Sequence, residues 1–191
     1  MEIYMELRPN MFKKILPVPL TLITTIDKQG IINAAPYGCV MPILRPLDLI
    51  AIASAHVRDT LKNIRETREF VVNVMGEDDF RKTIKCAKNF PPHINELDAV
   101  EIESLPSKMV KPPRVKNGIG WIEAKLDREI QGENYSIIIG KVVCAEINDR
   151  YVENGELIQD PLVILMSGFR KIGEQVALQK EFIDDLKAIK F

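Results

Sequence analysis

The chain has 191 residues, of which 46% are hydrophobic and 28% charged, and this is typical of one globular domain with its own apolar core. Lys and Arg number 26 and Asp and Glu 27, so the formal net charge is -1 and the basic excess of a nucleic-acid binder is absent. No apolar run reaches the roughly 20 residues that cross a bilayer, and the first residues lack a secretory signal pattern. We therefore expect one cytoplasmic domain over residues 1–191, with no nucleic-acid or membrane partner.

The cysteines argue against a disulfide framework and against a metal site. There are three, Cys39, Cys86 and Cys144, far apart and without a CxxC pair or a Cys/His cluster. This usage fits a reduced compartment, and we expect all three to serve packing.

Short β-branched runs dominate the chain and predict a mainly β protein with a few helices. Residues 20–35 form a predicted hairpin, in which Gly30 is free to take a positive φ at the turn. Many strands at this spacing favour a barrel or a sandwich. The other predicted strands lie at residues 49–53, 70–74, 122–126, 136–143 and 162–166.

Apolar residues at helical spacing predict three helices, at residues 60–67, 78–88 and 175–190. Residues 105–117 contain three prolines and four basic residues, which predicts an extended, stiff loop. A basic arm for nucleic acid is an alternative for this loop, although it contains no aromatic residue that could stack on bases.

Residues 54–64 combine a strand end with an immediate helix start. The first N–H groups of a helix lack internal partners and favour a bound anion, and Asp59 or Thr60 could cap this helix. Arg58 adds a forked cationic donor, and Thr60 and Asn63 share one helix face. This pattern suits a phosphomonoester. The alternative is a capped surface helix in which Arg58 pairs with a neighbouring carboxylate.

Residues 33–40 turn from a strand into small residues, a proline and a glycine. Such a bend exposes backbone groups against which a flat ring such as a flavin could lie. The alternative is a plain barrel corner, where Gly and Pro are expected in any case.

Together these segments resemble the flavin-reductase-like family of FMN-binding split-barrel proteins, which includes flavoredoxins. The resemblance is strongest over residues 17–74, through the Leu22–Asp27 strand, the Ala34-Ala35-Pro36-Tyr37 stretch, Arg58–Ile64 and Thr67–Val74. It continues more weakly to about Phe169. It implies a Greek-key split β-barrel, a homodimer, and non-covalent FMN near the dimer interface.

The resemblance places the FMN phosphate on Arg58, Thr60 and Asn63, and the ring wall on residues 33–39. Many family members carry His at the position of Tyr135. The predicted cofactor-binding residues are Asn33, Ala34, Ala35, Pro36, Tyr37, Gly38, Cys39, Ser54, Ala55, His56, Arg58, Thr60, Asn63, Lys88, Tyr135 and Phe169.

The expected function is that of an FMN-dependent oxidoreductase of the flavin or ferric reductase type, which passes electrons from NAD(P)H through FMN to an acceptor. The alternatives are an FMN electron carrier fed by a redox protein partner, and a β protein without flavin. No Ser/His/Asp, Cys/His or paired-carboxylate motif is present, so no residue is assigned a catalytic role. There is also no GxGxxG fingerprint for NAD(P)H.

Overall fold

The fold is organised around one curled, seven-stranded antiparallel sheet. The computed structural model describes residues 5–44, 46–165 and 168–173, and the predicted helix at 175–190 lies outside them. The strand order in the sheet is β3-β2-β6-β9-β10-β5-β4. The bounds of these strands, in chain order, are β2 Thr21–Ile26, β3 Ile32–Tyr37, β4 Val40–Pro42, β5 Leu49–Ala55, β6 Glu69–Met75, β9 Gly118–Gln131 and β10 Tyr135–Ile147.

The remaining elements are short and surround the sheet. β1 (Val18–Pro19), β13 (Leu162–Leu165) and β14 (Gly168–Lys171) form a second, three-stranded sheet. Two two-stranded ribbons pair β7 (Ser104–Leu105) with β8 (Arg114–Val115), and β11 (Val152–Glu153) with β12 (Glu156–Leu157). The helices are α1 (Asp59–Thr67), α2 (Phe80–Lys85) and α3 (Glu96–Ala99), with 3-10 turns at Pro9–Lys14 and Asp149–Tyr151. No helix among these is long and apolar enough to cross a membrane.

Two residues join the opposite edges of the seven-stranded sheet. β3 is the first strand of the sheet and β4 the last, yet only Gly38 and Cys39 separate them in the chain. The sheet must therefore curl until its edges meet. The Cys39 carbonyl accepts a hydrogen bond from Ala53 N–H of β5 (3.0 Å), which fixes the bend against that side.

Apolar side chains pack on both faces of the sheet at β2. Leu22 packs in a cluster with α3, whereas the adjacent Ile23 faces the barrel interior with Leu61 and Ile64 of α1. β2 is buried on both faces, which explains why its sequence is a continuous β-branched run. The helix α1 therefore closes one end of the barrel.

The Phe70 side chain of β6 packs against the backbone of β10 at Gly140. A Cβ added at Gly140 would lie 2.5 Å from Cζ of Phe70, whose ring is fully buried. The missing side chain at position 140 thus provides the space for this ring.

The predicted hairpin at 20–35 and the strands that begin near residues 49, 70, 122, 136 and 162 are confirmed. Gly30 has the expected positive φ of 84°. The second predicted helix is shorter than expected, since regular helix covers only Phe80–Lys85.

The proline-rich loop at 105–117 is anchored to the barrel and is not a free basic arm. Arg114 is buried and pairs with Glu123 and Glu146, Lys108 also pairs with Glu146, and Lys116 pairs with Glu103. Three of the four basic side chains in the loop are therefore neutralised within the chain.

The carboxylate of Glu123 is the centre of this anchor. It is fully buried, and it accepts hydrogen bonds from the backbone N–H groups of Lys108 (2.9 Å) and Met109 (2.6 Å) and from Nε of Arg114 (2.6 Å). The Arg114 guanidinium also lies 5.1 Å from the Trp121 ring centroid. Removing one partner of a buried pair leaves an uncompensated charge, which costs far more than the pair contributes.

We predict that Glu123→Ala lowers the free energy of unfolding by about 3–5 kcal/mol, because Arg114 loses its buried partner and two backbone N–H groups lose their acceptor. Lys116→Ala removes one partner of an exposed ion pair, with Glu103, and should cost below about 1 kcal/mol. Urea denaturation monitored at Trp121 measures both. Equal small effects of the two substitutions would contradict the anchoring role of Glu123.

Candidate functional site

The candidate site lies at the seam where the two edges of the curled sheet meet α1. Tyr37 at the end of β3 and Ser54 at the end of β5 share a hydrogen bond of 2.6 Å between their hydroxyl groups. Asn33 of β3 donates from Nδ2 to Oγ1 of Thr60 on α1 (3.0 Å). These contacts bring together the two segments that the sequence predicted, residues 33–39 and 54–64.

The helix α1 begins without a side-chain cap. Its N-cap residue is Arg58, and neither Asp59 nor Thr60 caps it, contrary to the sequence prediction, because both already belong to the first helical turn. The N–H groups of Leu61 and Lys62 donate to the Arg58 carbonyl. Those of Asp59 and Thr60 have no acceptor among the described residues. Two backbone donors therefore remain for an anion.

Arg58 is exposed and forms no ion pair within the described part of the chain. The predicted alternative, in which it pairs with a neighbouring carboxylate, is therefore not seen. The Asp59 carboxylate lies in the same first turn, where it interacts favourably with the helix dipole. An anion at this helix end would meet two N–H donors and one guanidinium, partly opposed by Asp59.

Thr60 and Asn63 point into the protein. Both are buried, and the amides of Asn33 and Asn63 each donate to Thr25 Oγ1 at 3.2 Å. Thr25 is thus the hub of a buried polar cluster that holds α1 against β2 and β3. Thr25 is not predictable as a site residue, because a threonine within a β-branched run is typical of any strand.

The space beside this cluster, which the exposed residues Lys62 and Pro92 also line, has room for about one water molecule. Asn33, Asn63 and Glu96 line a cavity of about 20 Å³ there. Glu96 is buried on α3 and accepts a hydrogen bond from Ala34 N–H (3.0 Å). Burial raises the pKa of Glu96, and the nearby negative charge of Asp59 adds to this. Sequence reasoning gave Glu96 no role, since its partner is a backbone group.

The predicted ring wall is less rich in donors than the sequence implied. Ala34 N–H points away from β2 and is already bonded to Glu96, and Pro36, which lies on the same free edge, has no N–H. The N–H groups of Gly38 and Cys39 have no acceptor among the described residues. Backbone donors for a ring are therefore concentrated at the bend. Cys39 is exposed at the bend, so the prediction that it serves packing is wrong. Cys86 is buried, as predicted, and Cys144 is half-buried.

A second polar network lies beside Ala55, at the other end of the candidate surface. His56 Nε2 lies 3.2 Å from Ser136 Oγ, and Ser136 donates to Glu129 (2.6 Å), so that Nε2 is the donor toward Ser136. Arg65 of α1 pairs with Glu129 at 2.6 Å. The hydrogen bond from Arg65 is the main cause that lowers the pKa of Glu129 to about 2, and Ser136 adds to it.

Tyr135 presents an exposed aromatic ring next to this network. Its backbone pairs with Ala55, and its ring packs on Gly132, where an added Cβ would lie 2.5 Å from the ring. The absence of a side chain at Gly132 therefore makes room for this ring.

Lys88 and Phe169, the remaining predicted site residues, do not take part in the hydrogen-bonded contacts described above. Lys88 lies over the Phe90 ring at 5.5 Å, and Phe169 packs against Phe80 with 5.6 Å between ring centroids. Their partners therefore come from the α2 region. Phe169 lies on the same face of the small sheet as Ile164, its register partner across β13 and β14. Ile164 in turn lies next to Gly38 at the bend.

The geometry is matched by the comparisons with known proteins. The profile of the flavin reductase-like domain matches residues 12–173, so the chain belongs to this family. An uncharacterised protein of Methanothermobacter thermautotrophicus is 45% identical over 141 residues, which cover 72% of this chain and 66% of that protein.

Solved structures agree with the fold. Component B of nitrilotriacetate monooxygenase from Bacillus cereus is 25% identical, with a TM-score of 0.81 over 93% of this chain and all of that one. Flavoredoxin from Methanosarcina acetivorans is 18% identical, with a TM-score of 0.83 over 97% of this chain and all of that one. The predicted mainly β split barrel is confirmed.

The network at Glu129 predicts a specific dependence of stability on pH. The pKa of Glu129 is lower in the folded than in the unfolded protein, so its stabilising effect is complete above about pH 5 and is lost as the pH falls toward 2. The destabilisation caused by Arg65→Met should therefore shrink over this interval. Urea unfolding of both proteins at stepped pH measures it. Arg128→Met, in an exposed pair with Asp127, should show little effect at any pH, and a pH-independent effect at Arg65 would refute the assignment.

Proposed function

We propose that this protein binds FMN non-covalently along the seam and acts as an oxidoreductase that passes electrons from NAD(P)H through FMN to an acceptor. The observation that carries the proposal is the start of α1, where two N–H groups and Arg58 have no partner among the described residues. Hydrogen bonds link this segment to β3, the strand that leads into the bend at Gly38 and Cys39. The family membership of the chain supports a flavin as the ligand.

In this proposal the phosphate lies at the α1 end, and the ring lies at the bend. The hydrogen bond between Tyr37 and Ser54 joins the two ends, and Tyr135 presents its ring on the side of Ala55. Bound FMN would supply the redox chemistry, so the side chains need only hold, orient and partly shield it. This fits the lack of a catalytic motif in the sequence.

A phosphate at α1 makes a sharp prediction for Arg58. Arg58→Ala should weaken FMN by about ten- to a hundredfold, the value of one charge-assisted hydrogen bond, and leave riboflavin nearly unchanged because riboflavin has no phosphate. Titration calorimetry with both flavins measures this. Lys28→Ala removes an exposed charge from the β2–β3 turn and serves as the matched control. Equal weakening of FMN and riboflavin by Arg58→Ala would exclude the phosphate assignment.

The reductase role is tested by an anaerobic visible spectrum of the FMN-loaded protein before and after NADH, and then NADPH. Rapid bleaching of the flavin bands is the expected result. Bands that persist would favour the second candidate, an FMN electron carrier reduced by a partner protein, which the structural likeness to flavoredoxin supports. Failure to bind any flavin would refute both.

We also propose that the protein is a homodimer. Strands β9 and β10 contribute to two apolar grooves of about 320 and 540 Å³ that share Ile122 and Ala145, and exposed Ile147 lines the smaller one. Contiguous exposed apolar surface of this kind marks interaction sites.

If FMN lies near this interface, Ala145→Glu should shift the protein to monomer and release flavin. Sedimentation velocity with detection at the flavin band measures both effects at once. Lys141→Glu on the same strand, outside the lining of either groove, is the control. A monomer that retains FMN at full affinity would contradict an interfacial site.

A further inference from the structure

A separate cleft lies beside the bend, between the N-terminal 3-10 turn and the small sheet. Its volume is about 460 Å³, within the usual range of small-molecule sites. Gly38 and Cys39 form one wall, and Val18 and Ile164 form the floor. The cleft therefore borders the same two residues against which the flavin ring is proposed to lie.

The floor of the cleft is apolar because of strand register. Val18 and Ile164 are direct partners across β1 and β13, and Ile164 pairs with Phe169 of β14, so the three side chains lie in one row on one face. Gly38 packs closely on this row, since an added Cβ there would lie 2.8 Å from Val18 Cγ2. Met11 and Phe12 of the 3-10 turn add to the apolar surface.

The charge of the cleft has one sign. Lys13 and Lys14 line it, together with the amide side chain of Asn10, and none of its ten lining residues is acidic. Neither lysine forms an ion pair with another residue of the described chain. This contrasts with the 105–117 loop, where three of four basic side chains are paired.

We propose that this cleft binds a small organic anion with an aromatic or otherwise apolar body, the co-substrate of the flavin. The body would lie on Val18 and Ile164, and the carboxylate or equivalent group would face Lys13 and Lys14. The assignment as co-substrate rests on the proposed function, because it requires the flavin ring at the bend. The binding of the anion itself does not depend on it.

Cys39 provides a direct readout, since its thiol is exposed on the wall of the cleft, whereas Cys86 is buried. The probes are an aromatic anionic disulfide, 5,5′-dithiobis(2-nitrobenzoate), and a neutral one, 4,4′-dithiodipyridine. We expect the anionic probe to react faster with Cys39 than with Cys144, and sodium benzoate to slow the reaction at Cys39. Cys39→Ser identifies the signal of this residue against that of half-buried Cys144.

Substitution of the two lysines tests the charge. Lys13→Gln with Lys14→Gln should reduce the rate of the anionic probe about tenfold, abolish protection by benzoate and leave the neutral probe unaffected. Lys28→Gln with Lys141→Gln removes the same net charge from exposed positions that do not line the cleft, and should change little. Equal slowing by both double variants, or an absence of benzoate protection in the wild type, would overturn the proposal.

The same assay in FMN-saturated protein separates this inference from the proposed function. Protection by benzoate should persist when FMN is bound. Loss of protection on FMN binding would show that the cleft holds the flavin itself, and would overturn the assignment. If the protein binds no FMN, the proposed function fails, while the result with benzoate still decides whether the anion site exists.

Discussion

The buried carboxylate of Glu123 is the interaction on which the architecture depends most. An ionised side chain without solvent is tolerated only when its lone pairs are satisfied, and here Arg114 and two backbone N–H groups satisfy them. The same hydrogen bonds also constrain the loop, because its N–H donors must lie within bonding distance of a carboxylate that is fixed on β9. The proline-rich loop at 105–117 is held along the barrel for this reason.

Two neighbouring contacts extend the same constraint to the central strands. The Val115 N–H donates to Asn73 Oδ1 (2.7 Å), and Thr24 Oγ1 donates to the Pro113 carbonyl (2.5 Å). Asn73 and Thr24 also bond to each other across β6 and β2. The loop, β2, β6 and β9 are thus joined by one set of hydrogen bonds, and the opposite side of β2 carries Thr25, the hub of the candidate site.

The sequence was sufficient for elements that local patterns determine. The hairpin of β2 and β3, the long strands and α1 follow from apolar spacing and a turn glycine. Elements that depend on distant partners were missed. β4 has three residues and exists because Gly38 and Cys39 return the chain to β5, and the pairing of β7 with β8 depends on the anchored loop. No local signal encodes these contacts.

The candidate site shows the same division. Its two segments were recognisable from residue types, but the direction of each side chain was not. Thr60 and Asn63 satisfy buried polar partners and face inward, whereas Arg58 remains at the surface as the N-cap. Helical spacing places Thr60 and Asn63 on one face, and only the packing against β2 and β3 determines that this face is the buried one.

The bond between Ala34 and Glu96 has a consequence for how the protein behaves at high concentration. An edge strand with unpaired N–H groups is a template for intermolecular β-pairing. On the free edge of β3, one donor is occupied by a carboxylate and the next position is a proline that has none. A foreign strand approaching this edge at residues 34–36 would meet carbonyl oxygens without a free N–H donor. The seam that forms the candidate site is thereby also protected from aggregation by strand addition.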